Sequence, residues 1–331
     1  MSVQARAFRI LGPGRGEIQP VELAEPGPGE VLVRTLHSGI SRGTESLVFR
    51  GGVPASQYDS MRAPFQEGDF PGPVTYGYLN VGVVESGPRE LQDRTVFCLY
   101  PHQTRYVVPV AAVTPVPEGV SARRAVLAGT VETALNAVWD GGPLVGDRIA
   151  VVGAGMVGAC VARLLAPLPG AEVTLIDPNE ARADLAASLG VNFATPQAAR
   201  RDLGDLDLAF HTSATAAGLQ LSLDLLAREG TVVDLSWYGD QPVSLSLGGV
   251  FHDRRLTVRS SQVGTVSPAR STRRTTKDRL ELALDLLQDS TFDALLTGSS
   301  SFADLPETMA RIARADTTTD TVCHTVSYEE E

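Results

Sequence analysis

Along the first 118 residues, apolar and polar positions change in short steps. Val3-Gln-Ala-Arg-Ala7 alternates, Val31-Leu-Val33 and Val81-Gly-Val-Val84 are rich in β-branched residues, and Gly12-Pro13-Gly14, Pro26-Gly27-Pro28-Gly29 and Pro71-Gly72-Pro73 punctuate them as turns. None of these runs has helical spacing, so the pattern predicts a compact all-β unit, a partly open barrel. The period changes over residues 121–139, where Ala125, Leu127, Ala128, Val131, Ala134, Leu135 and Val138 carry helical spacing and Gly141-Gly142-Pro143 ends the helix. Beyond Arg148 strands and helices alternate. Strands are expected at Ile149–Val152, Val173–Ile176, 191–194, 206–210, 231–235 and 256–260, with helices at 157–165, 180–189, 216–227 and 278–287. That order calls for an α/β architecture with a doubly wound parallel sheet. The tail returns to strand, helix, strand (295–302, 305–314, 321–326) and is expected to pack on the N-terminal unit. The expected division is 1–118 with 289–331 as the β-rich part, and 119–288 as the α/β part.

One stretch of the α/β part carries recognisable chemistry. The run Ile149, Val151, Val152 ends on Gly153, where a tight turn needs backbone freedom. Gly155 lacks the Cβ that would hold a pyrophosphate away from the backbone, and Gly158 lets a helix pack against the strand. That helix aims the free amides of its first turn, around Met156 and Val157, and its positive dipole end at phosphates. A second apolar run ends in Asp177, whose carboxylate can accept from a ribose 2′-hydroxyl and would repel a 2′-phosphate. Strand, glycines, helix, second strand and acid arrive in the order of a Rossmann dinucleotide site, and the acid favours NAD(H) over NADP(H). Arg182, a turn further on, is the residue that could argue for the phosphorylated form. Ser213 and Ser236 follow two later strands at the carboxyl edge of the sheet, where ligands bind in such folds, and are read as cofactor neighbours.

Composition narrows the partners. The 331 residues carry a formal net charge of −11, which argues against a nucleic-acid partner. The one basic cluster, Arg270 to Arg279, reads as a solvated loop. No apolar run is long enough to span a membrane and no secretory h-region is evident, so a cytoplasmic protein is expected. Cys98, Cys160 and Cys323 are widely separated, which indicates neither a disulfide framework nor a zinc knuckle. Lys277 is the single lysine, which disfavours Schiff-base chemistry or a Tyr-x-x-x-Lys pair.

The β-rich start, mid-sequence G-x-G-x-x-G and short C-terminal return together resemble the medium-chain dehydrogenase/reductase superfamily over all 331 residues. Ser38-Gly-Ile-Ser-Arg-Gly-Thr-Glu45, Tyr76-Gly-Tyr78, Pro101-His-Gln103, Glu132-Thr-Ala134, Phe251-His-Asp-Arg-Arg-Leu256 and Ser261-Gln-Val-Gly264 are similar to the subgroup that includes the bacteriochlorophyllide hydroxyethyl dehydrogenases. The resemblance implies a nicotinamide-dependent oxidoreductase acting on a small molecule, with an open sheet edge near 256–260 paired into a homodimer. It also exposes departures. Zinc-dependent relatives place ligands near Ser41, at Tyr78 and close to Gly129, and a four-cysteine lobe where this sequence has only Leu99-Tyr-Pro-His102. Neither metal site is expected here.

Hydride transfer at a carbinol carbon still requires a group that handles the hydroxyl proton. Tyr78, at a metal-ligand position, is expected to face the cleft between the domains and donate to a carbonyl oxygen; the alternative is a barrel tyrosine tied to backbone. His102 suits a proton relay or, alternatively, a structural hydrogen bond. Glu45 and Glu132 are the carboxylate candidates, and Glu132, inside an apolar helix, must face a cleft, pair with an arginine or change protonation. Thr133 resembles the position that leans on the nicotinamide. Arg42 is either a pyrophosphate ligand or a surface arginine. His37, His211, His252 and His324 are read as structural. The leading expectation is a zinc-independent NAD(H) oxidoreductase interconverting a secondary alcohol and a ketone. The alternatives are an enone or quinone reductase, or a nucleotide-binding protein without catalysis.

Overall fold

A computed structural model describes residues 2–314 and 321–328. The protein divides into two compact units, one formed by 1–129, 284–288 and 296–331, the other by 130–283 and 289–295. The segment 119–129 thus belongs to the β-rich unit.

That unit opens with an antiparallel hairpin of β1 (Ser2–Gly12) and β2 (Arg15–Ala24). There follow β3 (Glu30–Ile40), helix α1 (Arg42–Phe49), β4 (Asn80–Ser86), β5 (Thr95–Cys98), β6 (Arg105–Pro109), β7 (Val113–Pro115) and the short α2 (Ala122–Ala125). Helix α3 (Ala128–Gly141) leads into the second unit. There the order is β8 (Arg148–Val152), α4 (Met156–Leu165), β9 (Glu172–Ile176), α5 (Arg182–Leu189), β10 (Asn192–Ala194), α6 (Pro196–Asp202), β11 (Leu206–His211), α7 (Ala216–Asp224), β12 (Leu226–Asp234), α8 (Val250–Asp253), β13 (Thr257–Ser260) and α9 (Thr276–Leu286). The polypeptide then returns with β14 (Leu296–Ser301), α10 (Leu305–Ile312) and β15 (Cys323–Ser327).

In the first unit, β14-β15-β3-β4-β5-β7 form a mixed sheet in which β6 also pairs with β3. Inward residues of its strands (Val31, Val33, Val84, Val96, Tyr106, Val108) are almost wholly buried, as alternation demands of a sheet with one covered face. In the second unit the six strands are all parallel in the order β10-β9-β8-β11-β12-β13. The order reverses between β8 and β11, and the carboxyl ends of strands at such a point make the ligand crevice of doubly wound folds. A core of Ala150, Val152, Ile176, Leu206, Ala209 and Val232 with leucines of α7 backs this sheet, each large apolar residue contributing about 1.5–3 kcal/mol by burial. The expected α/β fold with a doubly wound parallel sheet and a β-rich companion is the one observed.

Three local expectations are corrected. The first 118 residues contain a helix, α1, that the pattern did not reveal. It buries Glu45 and Ser46 beside Val48 and Phe49, so its inward face is half polar and has no apolar period. The helix expected to reach 227 ends at Asp224, and β12 begins at Leu226 rather than 231. Leu219, Leu221, Leu223, Leu225 and Leu226 are all buried, so apolarity alone could not mark where helix gives way to strand. The last strand, β13, begins one residue later than expected; it is the exposed edge of its sheet. Among the described residues, no helix is long and apolar enough to cross a membrane.

Candidate active site

The glycine turn sits at the carboxyl end of β8. Gly153 has φ +110°, and a Cβ there would lie 2.8 Å from Thr212 Oγ1 and 2.9 Å from the Ser213 nitrogen. A Cβ on Gly158 would overlap the Gly153 carbonyl oxygen. Both positions are therefore closed to any larger residue. A different situation holds at Gly155, which precedes α4 with no capping side-chain bond, and where a Cβ would meet nothing within 4 Å. The space above Gly155 is open, and the first-turn amides around Met156 and Val157 have no intrahelical acceptor. An anion fits this turn.

Asp177, just beyond β9, turns its carboxylate onto the same loop: Oδ2 accepts from the Ala154 amide at 2.8 Å and Oδ1 from the Asn179 amide at 2.9 Å. Each oxygen keeps a lone pair for a ribose hydroxyl. Arg182 is buried, only 7% exposed. The residues present fit a nicotinamide dinucleotide. Ser213 and Ser236 lie past the ends of β11 and β12. The Ser213 hydroxyl is 2.7 Å from His211 Nε2, and Ser236 Oγ accepts from the Ala214 amide at 3.0 Å. Thr133 is half-buried on α3.

In the β-rich unit, three of the four catalytic candidates come together. Glu45 on α1 and His102, in the loop before β6, are 2% and 1% exposed, and His102 Nε2 lies 2.8 Å from Glu45 Oε2. The other carboxylate oxygen, Oε1, accepts from the Ser41 amide at 2.7 Å, which fixes the start of α1. His102 Nδ1 lies 2.7 Å from the hydroxyl of Ser38 near the end of β3, and Ser38 in turn is 2.9 Å from the Tyr328 hydroxyl. The result is a buried relay of Glu45, His102, Ser38 and Tyr328. Gly77, at φ +135°, makes room for the imidazole: a Cβ there would stand 3.0 Å from His102 Cδ2.

Tyr78 lies beside this relay. Its ring meets Tyr76 edge-on with centroids 6.2 Å apart. Burial first, and the charge of Glu45 second, push the phenol up to about 12, while the neighbouring hydroxyls of Ser41 and Thr44 oppose the rise. At neutral pH it is a proton-bearing donor. Arg42, first residue of α1, lines a small pocket with Ile40, Ile312, Val322 and His324.

Glu132 has a different setting. It stands on α3 in the second unit, where its Oε1 accepts from Arg279 Nε at 3.0 Å. Arg279 closes the basic cluster that was expected to be solvated, yet it is 1% exposed, because it lies on α9 and turns inward. It also donates to Asn136 Oδ1 at 2.6 Å and to the carbonyls of Thr265 and Val263. Burial raises the Glu132 carboxyl above its ordinary value, and the arginine works against that rise. Of the three outcomes open to Glu132, pairing with an arginine is the one observed.

The donor set does not suit zinc. At the three positions where the sequence resemblance implies ligands in zinc-dependent proteins stand Ser41, Tyr78 and Gly129, and a Cβ on Gly129 would already press on Leu79 Cδ2 at 2.7 Å. Both His102 ring nitrogens are engaged by Ser38 and Glu45. Zinc needs nitrogen, thiolate or carboxylate donors converging on one point. Among the described residues no three His, Cys, Asp or Glu residues do so.

Sequence reasoning missed Ser38, Tyr328 and Arg279 as members of these networks. Ser38 and Tyr328 carried no signal, since 290 positions separate them and only the pairing of β15 with β3 joins them.

Residues 156–288 match the sequence model of a family described as zinc-binding dehydrogenase. Among curated relatives, a 90-residue segment is 36% identical to the 2-desacetyl-2-hydroxyethyl bacteriochlorophyllide A dehydrogenase of Cereibacter sphaeroides, covering 26% of this protein and 24% of that one. A 232-residue segment is 28% identical to the D-guloside 3-dehydrogenase of Shigella flexneri, covering 61% of this protein and 65% of the relative. The matches thus span less than two thirds of either relative's length. In structure, L-idonate 5-dehydrogenase from Escherichia coli superposes with a TM-score of 0.79 at 16% identity, covering 99% of both proteins. Of the solved structures sharing this fold, one from Sinorhizobium meliloti holds NADP and one from Escherichia coli CFT073 holds NADH. The fold is that of these dehydrogenases.

Proposed function

We propose that this protein is a zinc-independent oxidoreductase that interconverts a secondary alcohol and a ketone with NAD(H). The observation that carries the reading is the buried relay of Glu45, His102, Ser38 and Tyr328 with the protonated Tyr78 beside it. The names of the relatives support a dehydrogenase of a hydroxyl-bearing substrate. The Asp177 carboxylate on the glycine turn supports NAD(H), because a 2′-phosphate beside it would be repelled.

When bound, the nicotinamide supplies or accepts the hydride. The protein's part is the proton. In the reducing direction Tyr78 donates a hydrogen bond to the substrate carbonyl and polarises it, then gives up its proton as negative charge grows on that oxygen. The neighbouring Ser41 and Thr44 hydroxyls stabilise the phenolate, and Tyr78 recovers its proton from solvent before the next turnover. Glu45, fixed by His102 and the Ser41 amide, sets the local field that keeps Tyr78 protonated between turnovers. In the oxidising direction the same groups act in reverse order. Thr133, Ser213, Ser236 and Arg42 are proposed as cofactor contacts, and the open edge of β13 as the seam of a homodimer.

The test is a screen of secondary alcohols, ketones and enones with NAD(H), followed by nicotinamide absorbance and product identification, on the native protein and on Tyr78→Phe. The expectation is alcohol–ketone turnover that is indifferent to chelators. Tyr78→Phe keeps the ring, so NADH affinity holds while turnover falls about 10²-fold or more. Normal turnover by Tyr78→Phe removes Tyr78 from the mechanism, and product from enones alone replaces this reaction with double-bond reduction.

A further inference from the structure

A polar cleft of about 220 Å³ opens within the α/β unit, between the last turns of α3 and the segment that follows β13. A single water needs only about 10–15 Å³, so the space suits a small organic molecule rather than one water or a bare ion. Ser260, Gln262, Thr265 and Pro268 make its exposed rim. Its floor is buried and is formed by Asn136 and Asp140 of α3 with Val266. None of these residues belongs to the glycine turn, to Asp177 or to the relay around Glu45.

The floor is held in one arrangement. Asn136 is 1% exposed, and its Oδ1 accepts from Arg279 Nη1 at 2.6 Å and from the Ser267 amide at 2.9 Å. With both lone pairs taken, the amide nitrogen is turned the other way, where it makes only long contacts of 3.4 Å with Asp140 Oδ2 and with the Gln262 carbonyl. Asp140 is 9% exposed, and its Oδ2 also accepts from the Ser261 hydroxyl at 2.6 Å. Arg259 Nη1 donates at 2.7 Å to the carbonyl of Asp140, not to its carboxylate. Among the described residues nothing donates to Oδ1, so the lone pairs of that oxygen are left to the cleft.

A buried carboxylate ordinarily takes a cation or a full set of hydrogen bonds. Asp140 has neither, and it is the last residue but one of α3, where the helix dipole disfavours negative charge. A neutral side chain would fold there at less cost. The acceptor is therefore kept for a donor that the protein itself does not supply.

We propose that this cleft binds a small, neutral, polyhydroxylated molecule, a sugar or sugar alcohol, through neighbouring hydroxyls that donate to Asp140. The lining decides the class. An anion is repelled by the carboxylate. An ammonium group carries donors alone, and it would face amide hydrogens as well as the acceptor: Gln262 Oε1 is taken by the Gly264 amide at 2.6 Å, which leaves Nε2 to donate beside Asn136 Nδ2. A hydroxyl both donates and accepts, so adjacent hydroxyls give protons to Asp140 Oδ1 and receive those of the two amides. The Ser260 and Thr265 hydroxyls on the rim serve in either sense, and Val266 and Pro268 offer apolar surface to the C–H face of such a molecule. The cleft lies apart from the hydride-transfer groups, and its ligand is independent of the reading given for them.

The experiment is calorimetric titration of the full-length protein with D-sorbitol, and with ethylammonium chloride and sodium acetate as charged counterparts. The native protein is compared with Asp140→Asn, Thr265→Val and Tyr78→Phe, with thermal melts recorded beside. Saturable binding of sorbitol, and of neither ion, is expected. In Asp140→Asn the amide oxygen stays with the Ser261 and Asn136 donors and turns a second donor into the cleft, so sorbitol affinity is expected to fall about tenfold or more, the scale of a hydrogen bond to a charged group. Thr265→Val keeps the shape of the exposed rim and is expected to lose about fivefold, and it carries the test if the first variant does not fold. Tyr78→Phe is expected to bind sorbitol as the native protein does. No saturable sorbitol binding, a preference for ethylammonium, or binding that Asp140→Asn and Thr265→Val leave unchanged overturns the proposal. Binding lost in Tyr78→Phe but kept in Asp140→Asn also overturns it, since the polyol then sits with the reacting groups and the oxidoreductase reading stands without this second site.

Discussion

At the scale of single residues, the three glycines of the turn separate folding from binding. Gly158 faces the Gly153 carbonyl at a distance no Cβ can occupy, whereas Gly155 faces open space. Gly158→Ala is expected to lower the melting temperature by several degrees and to abolish NADH binding. Gly155→Ala is expected to melt like the native protein yet bind NADH at least tenfold more weakly, because the added methyl stands where the pyrophosphate approaches. Calorimetry beside thermal melts reads both, and a tightly binding Gly155→Ala would dissociate that turn from the nucleotide. His324 makes a different point. It is buried with Nε2 2.9 Å from Ser300 Oγ, and burial followed by the charge of Arg311 lowers it from 6.5 to about 4. The unfolded state takes up that proton near pH 6.5 and the folded state only near pH 4. Its contribution is therefore present above pH 6.5 and is lost as pH falls toward 4, on the order of 1–2 kcal/mol after allowance for solvent screening. Denaturant midpoints at about pH 7 and pH 4.5 should show the loss, and His324→Gln should reduce it.

At the scale of elements, the consequential contact is the one α9 makes through Arg279. Its guanidinium meets Glu132 and Asn136 of α3 and two carbonyls of the 263–265 loop, so a single residue joins a helix, a helix and a loop inside the α/β unit. Arg279→Leu would leave the Glu132 carboxylate buried and unpaired, and is expected to cost about 3–5 kcal/mol in urea unfolding. Adding Glu132→Gln to that variant should restore part of the loss, because the uncompensated charge is gone. If both variants unfold alike, the pair is not what couples these elements. The same logic explains why α1 was not foreseen. A helix whose inward face carries Glu45 and Ser46 has no apolar stripe, and its burial makes sense only once His102 is seen to receive the carboxylate.

At the scale of the whole molecule, the parallel sheet ends at β13, whose four residues are all exposed, with Val258 39% accessible. Unpaired edge strands invite pairing with another copy. A homodimer is the expected assembly, and Val258→Lys is expected to shift the light-scattering mass at micromolar concentration toward the monomer with the melting temperature of each subunit little changed; a native protein that is already monomeric ends the idea. By itself the sequence determined the strand–turn–helix of the nucleotide turn, its closing acid and the division into a β-rich and an α/β part. These follow from backbone demands and periodicities written into contiguous residues, which no distant contact is needed to read. The tertiary structure alone decided which residues meet: Glu45 with His102 across 57 positions, Ser38 with Tyr328 across 290, His211 with Asp234 through the register of two parallel strands, and Glu132 with Arg279 across 147. Such pairings depend on strand order and on which face of a helix is covered, and a polar residue has the same one-letter identity whether it ends in solvent or in a relay.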